Sequence, residues 1–373
     1  MGDRILFGIF LIFSISTAIQ LFYYFYYYLA VSSFKPPDKT TELKPVSVII
    51  CARNEAENLR EFLPSILTQN YPEFEVIVVN DCSEDETYNV LGDYLTKYPR
   101  LKVSTINKDP KFTHSKKLAQ FIGIKAAKHD ILVFTDADCR PVSELWLQGI
   151  ASDFDEKTSY VLGYGGYNET KGFLNAYIRY DTAFIAMQYL GMAIRGIPYM
   201  GVGRNMAYRK TEFFKHKGYG LYSNLISGDD DLFINSNASP ENTKVEFRPE
   251  TFTRSVPSPS FQEWIKQKKR HLTTAPYYKS KDQFLLITEP LTRILFYLTF
   301  ILLISFKFMW IEVLAIFGAR FLTQTVTFSL VLRKLKEKGL IAYSIIFDIF
   351  SPVMNGVLYL SKGKGWKTNQ WRS

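Results

Sequence analysis

The chain has 373 residues, of which 47% are hydrophobic and 16% aromatic, and its formal net charge is +9. This length supports one sizeable core with additions, and three cysteines argue against a disulfide framework and suit a reducing compartment. The positive charge suits a protein beside anionic lipid head groups, and nucleic-acid binding is disfavoured because only residues 260–278 combine basic and aromatic side chains.

The first predicted element is an apolar helix. Residues 5–31 contain no charged side chain, and a helix needs only ~20 residues to cross the hydrocarbon layer. Five tyrosines and one phenylalanine fill positions 23–28, which is typical of the membrane–water interface. A cleaved signal peptide is the alternative, but its apolar region normally has ~7–15 residues. We therefore predict a membrane anchor over residues 1–34 and a polar linker over residues 35–44.

Residues 45–258 alternate between short β-rich runs and amphipathic helical runs. The predicted strands cover 45–52, 74–81, 101–107 and 130–136, and the predicted helices cover 55–69, 83–98 and 115–128. This βαβαβαβ order predicts an α/β domain with a mostly parallel sheet and helices on both faces. Ligands of such sheets bind beyond the carboxyl ends of the strands.

Polar side chains follow three of the predicted strands. They are Arg53, Asn54 and Glu55 after the first strand, Asn80, Asp81 and Ser83 at the second, and Asp136 and Asp138 at the fourth. Each one alone is an ordinary turn residue. Three groups at successive strand ends instead predict a polar cluster that lines one crevice.

Two aspartates end the apolar run in DILVFTDADCRP (130–141). Carboxylates at i and i+2 of an extended segment point to the same side, where they repel and one tends to take up a proton. A divalent cation removes that conflict. Mg²⁺ and Mn²⁺ prefer oxygen ligands and are commonly held by one or two carboxylates together with substrate phosphates. Asp136 and Asp138 are therefore predicted to bind such an ion.

The stretch YMGVGRNMAYRK (199–210) places Gly201 and Gly203 shortly before Asn205. Glycine lets the backbone approach a ligand closely, so this stretch is a candidate binding loop, and a tight structural turn is the alternative. It is not a dinucleotide-binding fingerprint, because no third glycine follows at the required spacing.

Three consecutive carboxylates follow a glycine in ISGDDDLFIN (226–235). Crowded carboxylates raise one another's pKa, which moves one of them toward useful basicity. A solvated acidic helix start, where acids complement the helix dipole, is an equal alternative.

A basic and aromatic stretch, SFQEWIKQKKRHLTTAPYY (260–278), is typical of an amphipathic helix that lies on a membrane surface. We assign it to an interface region over residues 259–289. Membrane helices and a basic tail are predicted for residues 290–373, with a helical pair at 291–306 and 309–332.

The apolar run at 340–360 contains Asp348 and Pro352 and lies between two basic segments. Basic flanks prefer the cytoplasmic side. If both flanks are cytoplasmic, the run does not simply cross the membrane. We favour a dip that turns back near Ser351-Pro352, with an interfacial helix or a full crossing as alternatives. Glu312, Arg320 and Asp348 are costly in lipid, so they should face protein, water or head groups.

Five stretches occur in the order seen in membrane-associated family-two glycosyltransferases of the GT-A fold. They are VSVIICARNEAENL, EVIVVNDCSEDET, SKKLAQFIGIKAAKHDILVFTDADCRP, GVGRNMAYRK and SGDDDLF. The chain resembles this family over most of residues 45–275. The resemblance implies an inverting enzyme that uses a nucleotide-diphosphate sugar.

The resemblance also implies roles for individual residues. Those at the nucleotide sugar are Ala52, Arg53, Asn54, Glu55, Asp81 (at the base), Lys116 (near the diphosphate), Asp136, Ala137, Gln267 and Arg270. Asp136 and Asp138 match the metal-binding DxD pair, with Asp138 preferred as the direct ligand. Gly203 and Asn205 fall on the sugar and acceptor side.

The acidic pair of the family matches Asp229 and Asp230, whose second member is the base. Asp230 is therefore the predicted base, with Asp229 and Asp231 as alternatives. The family's Gln-x-x-Arg-Trp motif is matched except that His271 replaces the tryptophan, which accompanies processive synthesis in relatives. That replacement weakens a polymerase interpretation.

Together these features predict transfer of one sugar from a nucleotide-diphosphate sugar, with a uridine nucleotide preferred, to a hydroxyl or phosphate of a lipid or lipid-linked acceptor. The cofactor is Mg²⁺ or Mn²⁺, and nucleic acid is not a partner. The expected location is the cytoplasmic face of the inner (plasma) membrane in a multi-pass protein. A processive polysaccharide synthase and a catalytically silent scaffold of the same fold are the alternatives.

Overall fold

A computed structural model of the chain describes residues 2–36, 42–108, 115–223, 225 and 227–361. Residues 37–41 of the predicted linker and the basic tail from residue 362 onward lie outside this description. The ten strands of the described part are β1 Val46–Ala52, β2 Phe74–Asp81, β3 Leu101–Ile106, β4 Ile131–Phe134, β5 Cys139–Pro141, β6 Tyr160–Gly163, β7 Gly165–Tyr167, β8 Met206–Arg209, β9 Thr243–Glu246 and β10 Thr253–Ser255.

A π-helical turn, Tyr23–Tyr28, joins the first two helices into one continuous element. The helices are α1 Gly2–Phe22, α2 Leu29–Ser33, α3 Ala56–Leu67, α4 Thr87–Lys97, α5 Lys116–Ala126, α6 Trp146–Ala151, α7 Phe173–Ile194, α8 Lys210–Lys215, α9 Asp231–Asn237, α10 Phe261–Leu272, α11 Ser280–Ser305, α12 Trp310–Lys334 and α13 Ile341–Leu360.

The central sheet has seven strands in the order β3-β2-β1-β4-β8-β6-β9. The first four strands along the chain pair in parallel, as predicted, and β8 runs antiparallel to β4 and β6. Helices cover both faces: α5 packs on one side, and α3, α4 and α6 pack on the other. Because β1 and β2 are buried on both faces, their sequences are nearly continuous apolar runs.

A second sheet, in the order β5-β10-β7, was not apparent from the sequence because its strands have only three residues each. The register pairs Cys139 with Ser255. This small sheet lies directly after the two aspartates that follow β4, and it therefore fixes the path of the chain at Asp138.

The predicted extended geometry of Asp136 and Asp138 is wrong. Strand β4 ends at Phe134, and a turn follows in which the Cys139 amide donates to the Asp136 carbonyl (3.1 Å). The turn nevertheless brings the two carboxylates together, with side-chain ligand atoms of Asp136, Asp138 and Cys139 all within 4.8 Å of one another.

Four helical segments are long and apolar enough to cross a membrane: 2–33, 280–305, 310–334 and 341–360. The first packs along the second, and the rings of Phe13 and Phe296 stack at 5.2 Å. The aromatic run at 23–28 is largely inside the protein, because four of its five tyrosines are buried and only Phe25 and Tyr26 are exposed.

Buried charges join the last three helices. Asp348 of α13 accepts hydrogen bonds from Arg293 of α11 (3.1 Å) and Arg320 of α12 (2.7 Å). The prediction that Arg320 and Asp348 face protein is confirmed. The predicted turn near Ser351-Pro352 is wrong, because α13 continues through Pro352 as one helix.

The loop between α12 and α13 attaches the membrane helices to the α/β domain, meaning the two sheets with α3 to α9. Glu337 of this loop is buried and binds Arg179 (2.9 Å), Arg254 and the hydroxyl of Tyr164 (2.9 Å). Glu337 is the acidic residue of the otherwise basic segment RKLKEK (333–338), and it connects this segment to the α/β domain.

We expect Glu337→Ala to lower the free energy of unfolding by about 3–5 kcal/mol, because two largely buried arginines lose their counter-charge. Chemical unfolding in detergent micelles measures the change. The control is Glu312→Ala at an exposed position of α12, which should change stability by about 0.5 kcal/mol at most. Equal effects of the two substitutions would contradict the role of Glu337.

Candidate active site

A cleft of about 1510 Å³ opens at the carboxyl ends of β1 and β4. It brings together most of the residues that the sequence singled out. Those that line it are Arg53, Asn54, Glu55, Lys116, Asp136, Ala137, Asp138, Gly203, Asp230, Gln267 and Arg270. The rule that ligands bind beyond strand ends therefore located this crevice correctly.

The loops after β1 and β2 are joined by hydrogen bonds. Asn54 adopts a left-handed conformation (φ 55°), its amide donates to the Ser83 hydroxyl (2.9 Å), and its side-chain oxygen accepts from the Glu84 amide (2.8 Å). Asparagine tolerates this conformation better than most residues. The predicted convergence of these two strand ends is confirmed.

Four predicted site residues lie behind the surface of the cleft, and each is at most 5% exposed: Ala52, Asp81, Asn205 and Asp229. The assignment of Asn205 to the sugar and acceptor side is wrong. Its side chain accepts from the Trp146 indole (3.0 Å) and donates to the carbonyls of Tyr164 (2.7 Å) and Thr251 (2.9 Å). These contacts use its hydrogen-bonding groups inside the core.

The aspartate pair after β4 has the chemistry of a divalent-cation site. Burial and then the charge of Asp136 raise the pKa of Asp138 to about 6, so the two carboxylates oppose each other. Ser255 donates to Asp138 Oδ1 (3.2 Å), as does the buried thiol of Cys139 (3.4 Å). The pair therefore offers carboxylate oxygens, the ligands that Mg²⁺ and Mn²⁺ prefer, and these residues fit such an ion.

Lys116 supplies the positive charge at this position. Its Nζ lies 2.7 Å from Asp136 Oδ1 and 3.7 Å from Asp229 Oδ2. Burial acts to raise the pKa of Asp136, but Lys116 outweighs burial and holds that pKa below its ordinary value. Lys116 therefore bridges two acidic groups inside the cleft.

The three consecutive acids occupy different environments. Asp229 is buried, and Asp231 accepts hydrogen bonds from the hydroxyls of Thr274 (2.5 Å) and Tyr278 (2.6 Å). Asp230 faces the cleft, where its Oδ2 accepts the Gly203 amide (2.8 Å). The three acids are adjacent in the sequence, yet among the described residues Asp230 alone combines access to the cleft with a carboxylate whose hydrogen bonds come from backbone amides.

Asp230 is a candidate proton acceptor near neutral pH. Burial and then the charges of Asp229 and Asp231 raise its pKa to about 7, against the opposing effects of Lys116 and the Gly203 amide. A carboxylate with such a pKa can accept a proton at physiological pH and release it again.

Helix α10 covers the cleft and buries one of its aromatic side chains inside the protein. Trp264 is buried against Tyr177, with ring centroids 5.2 Å apart, and Lys268 Nζ binds Asp181 of α7 (2.6 Å). Phe261 at the start of the helix stays exposed, and the location of α10 at a membrane surface stays a prediction. Burial and then Arg270 hold the pKa of His271 well below its usual range, so this lining side chain is neutral.

The sequence analysis missed Arg204, which lines the cleft together with the Asp136–Asp138 pair. Its guanidinium lies 4.4 Å from the centroid of the Tyr167 ring. The only available signal was its place between Gly203 and Asn205. Tyr167 belongs to the short strand β7, and for that reason no periodic pattern indicated this partner.

The cleft continues from the aspartates to the membrane helices. We call the part lined by α7, α11 and α13 its membrane end. The residues of α11 and α13 that line it are Leu286, Ile287, Glu289, Pro290, Leu291, Arg293, Ile294, Pro352, Asn355, Gly356, Tyr359 and Leu360. One cavity therefore joins the polar strand ends to an apolar wall.

Known proteins share the sequence pattern and the fold. The family described as Glycosyl transferase family 2 matches residues 47–216. The glycosyltransferase AglE of Haloferax volcanii is 35% identical over 111 residues, which are 29% of this chain and 35% of that protein. The probable glycosyltransferase YdaM of Bacillus subtilis is 28% identical over 240 residues, 61% of this chain and 54% of that protein. The chain thus spans about half or less of each relative.

Among solved structures, the mannosyltransferase PcManGT from Pyrobaculum calidifontis, in complex with GDP-Man and Mn²⁺, has a TM-score of 0.63 at 16% identity. The superposition covers 98% of this chain and 100% of that one, and so it includes the candidate membrane helices. At this identity the likeness shows a shared GT-A fold.

We expect Asp138→Asn to weaken Mn²⁺ binding by at least about tenfold, because the ion loses a charged oxygen ligand. Isothermal titration of the full chain in detergent with MnCl₂ measures this. The control is Asp93→Asn on the exposed face of α4, which should leave the affinity unchanged. Unaltered affinity in Asp138→Asn would contradict the assignment.

Proposed function

We propose that this chain, whose residues 47–216 match glycosyl transferase family 2 and whose fold is GT-A, is an inverting, metal-dependent glycosyltransferase. It moves a single sugar from a nucleotide-diphosphate sugar to a lipid or lipid-linked acceptor. The observation that carries this proposal is one cleft in which Lys116, the Asp136–Asp138 pair and Asp230 converge and which continues to the membrane helices.

The donor end of the cleft lies at Arg53, Asn54 and Glu55, where the nucleoside would bind, with Asp81 behind them. A uridine nucleotide is our expectation from the family resemblance, and the fold neighbour holds GDP-Man. Competition of a panel of uridine and guanosine sugar nucleotides for one labelled donor identifies the base.

Asp136 and Asp138 would hold Mg²⁺ or Mn²⁺, which when bound neutralises negative charge on a leaving diphosphate. Lys116 would place a second positive charge beside the oxygens of that diphosphate. Lys116 Nζ is a compact point charge on a flexible stem, already located beside Asp136. Gln267 and Arg270 of α10 close the cleft above this position.

Asp230 takes the proton of the acceptor hydroxyl while the oxygen of that hydroxyl attacks the anomeric carbon of the sugar. The leaving diphosphate lies on the side of Asp136 and Lys116. Attack from the opposite side in one step inverts the configuration of the anomeric carbon.

Contacts at both ends of α13 support a proposed membrane arrangement. Near its start, the rings of Tyr343 and Phe173 of the α/β domain lie 6.4 Å apart. At its end, Tyr359 and Leu360 line the same cleft as Leu286 near the start of α11. Both ends thus lie near the α/β domain, which supports an interfacial helix, with the α/β domain and tail on the cytoplasmic side of a plasma membrane crossed by three segments.

We expect Asp230→Asn to lower kcat for sugar transfer by about 10²–10⁴-fold, because an amide cannot accept the proton. For the native chain, kcat should rise about tenfold per pH unit below pH 7 and level off above it, since only the deprotonated base is active.

Binding of the donor serves as the control for this variant. Its dissociation constant, measured by calorimetry, should match that of the native chain because Asp230 does not hold the nucleotide. Undiminished transfer by Asp230→Asn would refute the assignment of the base.

Single cysteines test the arrangement of α13. In intact cells, a membrane-impermeant maleimide should label Lys307→Cys, in the turn between α11 and α12, and should not label Lys338→Cys or Ser361→Cys. The parent chain gives the background from its three cysteines. Labelling of Ser361→Cys together with Lys307→Cys would show that α13 crosses the membrane.

A further inference from the structure

The membrane end of the cleft carries apolar side chains of α11 and α13 that are not covered by the rest of the protein. Three of its lining residues are exposed: Ile287 (61%), Leu291 (51%) and Leu360 (82%). Such side chains are stable in contact with lipid tails, and a lipid can enter between them without leaving an apolar environment. The occupant is therefore a lipid acceptor, in keeping with the proposed function on which this inference rests.

Several hydrogen-bond acceptors face this apolar part of the cleft. Glu289 is 1% exposed, and its Oε1 has no hydrogen-bond partner among the described residues. The same is true of Asn355 Oδ1 on the opposite helix. Buried acceptors without donors cost free energy. Hydroxyl groups of a bound head group would supply the missing donors.

Two prolines add backbone acceptors to the same wall. Pro290 of α11 and Pro352 of α13 both line the membrane end. Proline has no amide hydrogen, so the carbonyl four residues earlier loses its usual helical donor. For Pro290 that carbonyl belongs to Leu286, another lining residue. The wall therefore favours a ligand rich in donors.

The charges here do not favour an anion. The basic side chains that line this end are paired: Arg293 with Glu289 (3.1 Å) and Asp348 (3.1 Å), and Lys268 with Asp181 (2.6 Å). A phosphate would approach the carboxylates of Glu289 and Asp181, whose cationic partners Arg293 and Lys268 already share their charge with these acids.

The part of the cleft at Asp230, where the sugar would be transferred, also favours a neutral nucleophile. A phosphate oxygen is ionised already and needs no base, and it would approach three adjacent carboxylates, Asp229 to Asp231. A hydroxyl needs a base, and Asp230 faces the cleft with its Oδ2 accepting the Gly203 amide (2.8 Å). Both ends of the cleft thus favour an uncharged acceptor that carries hydroxyl groups.

We propose that the acceptor is an uncharged lipid whose head group carries several hydroxyls, such as a glycerolipid or a glycosylated lipid. It enters between α11 and α13. Its hydroxyl oxygen forms the new bond to the anomeric carbon, the bond from that carbon to the diphosphate breaks with its electron pair on the diphosphate, and the hydroxyl proton passes to Asp230.

The first test offers the native chain three acceptors in nanodiscs with a radiolabelled sugar nucleotide: diacylglycerol, monoglycosyl diacylglycerol and a polyprenyl phosphate. Labelled product should form on one or both neutral lipids. Product on the polyprenyl phosphate alone would overturn this inference but leave the proposed function intact. Product on none of them, together with no binding of any sugar nucleotide, would overturn both.

The second test narrows the entrance. A Cβ at Gly356 meets nothing within 4 Å and this residue lines the cleft, so Gly356→Leu adds apolar volume at the entrance. We expect it to raise KM for the neutral lipid at least about tenfold while the Kd for the donor is unchanged. The matched control, Gly318→Leu, fills equally open space on the exposed face of α12 and should alter neither value.

A third variant keeps the inference testable if Gly356→Leu does not fold. Asn355→Leu removes the unpartnered Oδ1 acceptor and keeps the branched shape of the side chain, so KM for the neutral lipid should rise about threefold to tenfold with the donor Kd constant. An unchanged acceptor KM in the folded variants would overturn the proposed entry site.

Discussion

The active site depends on a single lysine among five carboxylates. Parallel strands end at one edge of a sheet, so acids that follow several strands must gather there. Lys116 holds them together, at 2.7 Å from Asp136 and 3.7 Å from Asp229. It occupies the first turn of α5, where the helix dipole disfavours a cation. Its position is therefore explained by the acids it faces and by the Ser115 cap, which accepts from the Leu118 amide.

The membrane helices and the α/β domain form one structural unit. Glu337 ties the loop before α13 to Arg179 and Arg254 of the domain, and Tyr28 packs against Phe184 of α7. The cleft crosses the junction between them. The same cleft is therefore lined by Asp230 and by apolar side chains of α11 and α13.

Much of the fold and part of the site could be read from local patterns. The alternation of apolar runs and amphipathic segments placed β1 to β4 and α3 to α5, since each element's periodicity is set by its own backbone geometry. The parallel orientation of β1 to β4 followed from the helical segments that connect these strands. Polar residues directly after strands, including Asn54, Asp136 and Asp138, were found because the sheet's edge is defined by where each apolar run stops.

Only the tertiary structure decided which polar groups face the ligand. Asn205 lies two residues from Gly203, yet its hydrogen bonds to Trp146 and Thr251 remove it from the cleft. Three adjacent aspartates became a buried residue, one that lines the cleft and one bound by Tyr278, because elements distant in sequence surround them. The sequence by itself determined β1 to β4, α3 to α5 and the chemistry that the residues after these strands could carry. The packing of α7, α10, α11 and α13 determined the shape of the cleft, because burial and pairing depend on contacts that no local pattern encodes.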